Sequence, residues 1–108
     1  MEGINKAFNF EDFRKFGRLL SSFRTKSINA LASALSLSNS YIRKWEDGTI
    51  LPDESRLPDI IRAYGIEEEK KKEELIKAFN ISKDAREKEA KFRHDLKYPK
   101  KNKPKHNL

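Results

Sequence analysis

The chain has 108 residues, 38% of them charged and 36% hydrophobic, with a net charge of +7 and no cysteine. That length makes one compact domain with an appendage around a small core. The missing cysteines exclude a disulfide framework and a thiolate metal site and suit a reducing compartment. The basic balance favours an anionic partner such as nucleic acid or an acidic membrane face.

No stretch approaches the ~18–20 apolar residues of a membrane span. The first twenty residues carry acids and no signal-peptide apolar run, so a cytoplasmic location is expected. Five lysines and no acid lie in residues 97–108, "KYPKKNKPKHNL", so most of the excess charge sits there and the body is close to neutral.

In chain order, Phe13, Phe16, Leu20 and Phe23 recur at spacings of three and four and predict a helix within 8–26. Asn9 precedes Glu11 and Asp12, acids suited to a helix start. Gly17 costs about 1 kcal/mol inside a helix, so a neighbour is expected to approach it closely. Ile28, Leu31, Ala32 and Leu35 predict a second helix, with Ser27 as its N-cap. Leu37 reads as a plug between helices. Ser38 caps a third, in which Ile42 and Trp45 face one way and Asn39, Ser40, Arg43, Lys44 and Asp47 lie elsewhere. Gly48 suits a left-handed C-terminal cap, and residues 49–54 form a loop held by Pro52.

Leu57, Ile60, Ile61 and Tyr64 mark a fourth helix, with Pro58 in its first turn and Gly65 at its end. Beyond it the periodicity thins. A fifth helix is expected around 69–79 and a sixth over 82–96, the latter with only Ala85, Phe92 and Leu96 on a weak stripe. Pro99 and Pro104 end regular structure, and residues 97–108 are expected to form a disordered basic tail.

Helices without strands make an all-α fold, and the pair at 28–35 and 39–46 has helix-turn-helix spacing. The stretch "LASALSLSNSYIRKWEDGTILP" resembles the Cro/cI-type (XRE, lambda-repressor-like) helix-turn-helix family. Leu31-Ala32, Ser36-Leu37-Ser38, Ile42, Lys44-Trp45-Glu46, Gly48 and Pro52 fall on the family's pattern without a gap, as do Leu57, Ile60 and Ile61. The likeness runs over roughly 13–66 by eye. Where the family often carries a Gln that bonds a DNA phosphate, this chain has Ile28; where it has a turn Gly, this chain has Ser36.

The resemblance implies a four- to five-helix lambda-repressor-like domain over 8–66 and does not reach 67–108. There, Leu75, Ile76, Phe79, Phe92 and Leu96 are apolar residues beyond that domain's core, so the helical extension over 67–96 is expected to offer a dimerisation element ahead of the tail. The resemblance also implies that the helix after Ser38 enters a major groove. There Asn39 suits adenine, Ser40 is promiscuous and Arg43 suits guanine O6 and N7. Lys44 matches a family position that reaches bases or phosphate. Asp47 matches one whose main-chain N–H meets phosphate, and Ser38, Tyr41 and Thr49 complete the DNA-binding set by lying near the backbone. Taken alone, "NSYIRK" is an ordinary solvated helix face; the length of the match turns it into a contact surface.

Trp45 reads as core, and Glu46 as the partner of an arginine, with Arg18 and Arg24 as candidates. His94 and His106 have no second ligand at metal spacing, and no catalytic constellation, cofactor loop or metal set is evident. The charged run at 67–74 is a solvated face.

The implied function is a sequence-specific DNA-binding transcriptional regulator, a repressor acting as a homodimer on a palindromic operator in double-stranded DNA. The alternative is an antitoxin-like or anti-repressor module whose C-terminal half folds on a protein partner. A third reading, charge-driven binding to any nucleic acid, fits poorly with a near-neutral body. A membrane partner and an enzyme are not expected.

Overall fold

A computed structural model describes residues 10–97, and among these there are six α-helices and no strand. They are α1 (Phe10–Phe13), α2 (Lys15–Phe23), α3 (Ile28–Leu35), α4 (Asn39–Glu46), α5 (Leu57–Ala63) and α6 (Glu69–Lys97), with a 3-10 turn at Glu54–Arg56 before α5. The expected helix start at Asn9 and the basic tail beyond residue 97 lie outside the described residues.

The helices enclose one core. Phe16 and Leu20 of α2, Leu31 and Ala32 of α3, Ile42 and Trp45 of α4, and Leu57, Ile60 and Tyr64 all pack together with Ile66, Leu75 and Phe79. These are the residues whose three-and-four spacing marked the helices, so the inward stripe of each helix is its legible one. The rings of Phe16 and Phe79 meet edge-on at 5.5 Å, a favoured aromatic arrangement.

Three helices end in the same way. Ser36 after α3 (φ 57°), Gly48 after α4 (φ 82°) and Gly65 after α5 (φ 71°) are left-handed. In each case the next amide returns to a carbonyl five residues earlier: Leu37 N to Ala32 O, Thr49 N to Lys44 O and Ile66 N to Ile61 O. The pattern satisfies carbonyls that a helix end would otherwise leave open. Ser36 takes the glycine-like conformation itself, so the turn between α3 and α4 keeps its shape without a glycine.

The N-terminal helix is broken by a distant side chain. Ser82 of α6 is fully buried. Its hydroxyl accepts from Phe16 N (2.9 Å) and donates to Asp12 O (2.8 Å). Those two backbone groups are an i→i−4 pair, so Ser82 is inserted into the helical ladder and separates α1 from α2.

Two expectations are corrected here. The helices expected at 69–79 and 82–96 are one continuous helix, α6. Ser is a common residue at helix starts, but the Ser82 hydroxyl is engaged by another helix. The expectation that Leu75 and Phe79 serve a dimer interface also fails, because both are buried in the chain's own core, at 0% and 2% exposure. Ile76 is exposed and Phe92 half-buried; the Leu96 side chain lies outside the described residues.

Candidate nucleic-acid interface

The candidate surface is built on α4. Ser38 starts it by accepting a hydrogen bond from Tyr41 N at 3.3 Å, the usual way of satisfying an open N-terminal donor. Ile42 and Trp45 then turn into the core. Helical geometry carries Ser40, Arg43 and Lys44 onto the other side, and all three are exposed. Among the described residues no ion pair engages Arg43 or Lys44. Tyr41 is 46% exposed and leans on Trp45, the ring centres 6.0 Å apart.

Asn39 is half-buried at the start of this face. Its side-chain amide donates to Asn29 Oδ1 of α3. One amide proton and the carbonyl oxygen of Asn39 stay open, so a two-point contact with an adenine edge is still available to it. Asn29 was missed in the sequence reading. Ile28, the family's Gln position, is half-buried against the core, and the polar side chain of this turn is Asn29, one residue on. The only sequence signal for it was an exposed Asn in the first turn of a helix.

Asp47 and Thr49 are arranged differently from the sequence expectation. The Asp47 carboxylate accepts from Thr49 N at 2.8 Å and Thr49 Oγ1 at 2.6 Å. These bonds, the side-chain one foremost, hold its pKa below the usual aspartate value, and the nearby charges of Arg14 and Lys44 push more weakly the same way. The Asp47 amide already donates to Arg43 O at 2.9 Å, and Thr49 spends its hydroxyl proton on Asp47. The two residues build the turn after α4 and have given up the donors that a phosphate would use. The geometry therefore gathers Ser38, Asn39, Ser40, Tyr41, Arg43 and Lys44 on the open half of α4 and sets Asp47 and Thr49 apart.

The far end of α4 is held tightly. A Cβ on Gly17 would collide with Trp45 O and fall 3.0 Å from Gly48 N and 3.1 Å from Glu46 O. The backbones of α2 and α4 can touch only because residue 17 is glycine, which is the close neighbour expected from its place in a helix. Glu46 is the second hold. Its carboxylate accepts from Arg24 Nε at 3.0 Å and Tyr64 OH at 2.6 Å. Of the two arginines expected as its partner, Arg24 is the one used. The Tyr64 hydroxyl has its pKa raised, first by burial and then by its bond to Glu46.

Among the described residues no three His, Asp or Glu side chains converge on one point, and no helix is long and apolar enough to cross a membrane.

A sequence model described as a helix-turn-helix domain matches residues 15–75. That match spans α2 to the start of α6 and contains the whole candidate surface. Neither the curated proteins nor the solved structures include a significant match to the chain.

Proposed function

The chain belongs to the helix-turn-helix domain family, of the Cro/cI type, and from that premise we propose that it is a sequence-specific DNA-binding transcriptional regulator that acts as a repressor. Residues 8–66 form the DNA-binding unit and 67–96 the extension that braces it. The observation that carries this reading is the open polar face of α4, with Ser40, Arg43 and Lys44 exposed and, among the described residues, no ion pair on Arg43 or Lys44, above a buried Ile42 and Trp45. A helix seated in a major groove must present donors and acceptors from its first turns while its other side is fixed to the domain.

In this reading Arg43 takes guanine O6 and N7, the commonest specific base contact, and Asn39, steadied by Asn29, reads the neighbouring step. Ser40 bonds either kind of base. Lys44 and the hydroxyls of Tyr41 and Ser38 meet the sugar-phosphate backbone, positioning the helix without reading sequence. One module of this kind covers about 600–1,000 Å², so tight binding calls for two copies on a palindrome. With Leu75 and Phe79 consumed in the core, the contact between copies has to come from other surface. The partner-folding alternative draws no support from α6, whose Leu75, Phe79, Ser82 and Arg86 are already seated against the rest of the chain.

Selection of bound sequences from a random duplex pool tests the proposal. It should return a palindrome whose half-site spacing reports the dimer. Arg43→Ala should weaken the selected site by about 1–3 kcal/mol and relax preference at one position. Lys44→Ala should lower the salt slope by about 0.9. If neither change weakens specific binding, α4 is not the reading helix.

A further inference from the structure

Arg86 lies in α6 beyond the matched residues. In sequence it is one charge among many in "SKDAREKEAKFRHDL", and in the fold it does something different from its neighbours. Its guanidinium lies 4.0 Å over the Phe13 ring. Its two terminal nitrogens point at main-chain carbonyls just past α4, donating to Gly48 O at 2.7 Å and, more weakly, Thr49 O at 3.4 Å. Lys83, one turn earlier, reaches Glu54 in the same connection at 3.5 Å.

As a stabilising device this is poor chemistry. Arg86 Nε is sealed from solvent without an acceptor. Burial pulls the guanidinium pKa below its ordinary range, and Glu89, the acid whose charge acts on it, is itself bonded to Arg93. An apolar side chain would fill the space at a smaller desolvation cost. What arginine alone offers is a rigid planar fork that stacks on a ring and bonds two fixed points together. The fork holds the segment that immediately follows α4, beside the negative end of that helix, where a cation is favourable.

We propose that Arg86 is a positioning residue for DNA reading: clamped on Phe13, it grips Gly48 and Thr49 and sets the angle at which α4 presents Asn39, Ser40 and Arg43. The inference rests on the DNA-binding function proposed above and extends it to a helix that never enters the groove. Arg86 touches no base and no phosphate; it acts through α4.

The test uses the full chain with Arg86→Met and Arg86→Lys. Arg86→Met keeps the helix content and bulk but loses the grip. It should bind the selected duplex about tenfold more weakly, on the scale of one misaligned base contact, with an unchanged salt slope. The amides of Gly48, Thr49 and Ile50, which bond back to Trp45 and Lys44, should exchange faster while those of Leu75 and Phe79 do not. Arg86→Lys keeps the charge without the fork and should fall between the two.

A folded Arg86→Met with wild-type affinity overturns the proposal. So does a salt slope lower by about 0.9, because that marks a lost phosphate contact. If Arg86→Met does not fold, Arg86→Lys decides: wild-type affinity and exchange overturn the grip, intermediate values support it. If the wild-type chain prefers no duplex, the functional reading fails by itself, and exchange at Gly48–Ile50 still judges whether Arg86 holds that segment.

Discussion

Replacing Ser82 with alanine removes one oxygen and strands two backbone groups. The hydroxyl is the acceptor for Phe16 N and the donor to Asp12 O, in a position with no solvent exposure. Each buried backbone group left without a partner costs about 1–3 kcal/mol. Phe16 N is the better buried of the two, and Asp12 O lies in a part-buried contact, so water recovers some of the second loss. The expected destabilisation is about 2–4 kcal/mol, a large share of the ~5–15 kcal/mol that holds a domain of this size together.

Urea unfolding followed by circular dichroism measures it, with the midpoint falling and the slope m unchanged. The competing outcome is specific. Phe16 N and Asp12 O are an i→i−4 pair, so without the hydroxyl they can bond each other. Helices α1 and α2 would then fuse into one straight helix at small cost. A loss below about 0.5 kcal/mol, with the fold kept, would mean that this closure occurs and would refute the stranding of the two backbone groups.

Gly17→Ala should destabilise the domain by about 1–3 kcal/mol, against the ~1 kcal/mol that alanine normally contributes in a helix, because the atoms it meets are backbone of α4. Thermal melts read the stability, and a stabilised variant would refute the close contact. The raised pKa of Tyr64 gives a pH dependence of known sign. Its folded value lies above the unfolded value of about 10, so its contribution is complete below pH ~10 and is lost as pH rises beyond it. The slope of Tm against pH between 9 and 12 should therefore be shallower in Tyr64→Phe than in the wild type, and equal slopes would refute the assignment.

Much of the fold was legible because short-range periodicity carries it. The stripes of α2 to α5, the caps at Ser27 and Ser38, the close approach at Gly17 and an arginine partner for Glu46, with Arg18 and Arg24 both open, all follow from residue type and spacing within one supersecondary unit. Most of the misses share a physical cause, a partner far along the chain. Ser82 has the composition of a helix start, and only α2, 66 residues earlier, turns it into a bridge. Arg86 looks like one more solvated charge until Phe13 and Gly48 are placed beside it. The continuity of α6 was hidden for the same reason, since its inward line of Leu75, Phe79, Ser82 and Ala85 is mostly small or polar after Phe79. The Asp47–Thr49 pairing was missed differently, because it is local turn chemistry on which the family pattern is silent.

The two ends of α4 are built for different purposes. Its C-terminal end is held by the backbone of α2 at Gly17, by Arg24 and Tyr64 through Glu46, and by Arg86 just beyond. Its N-terminal half is capped by Ser38, steadied by Asn29 and otherwise open. Rigidity at the root lowers the entropy lost when side chains at the tip settle on a duplex, and openness at the tip leaves their donors and acceptors unspent. Contacts at the root come from α2, α5, α6 and the α2–α3 link, so a substitution in any of them alters the presentation of Arg43 without touching DNA. If α4 reads DNA as proposed, base preference is a property of the whole helical frame, and α6 contributes to it from outside the helix-turn-helix unit.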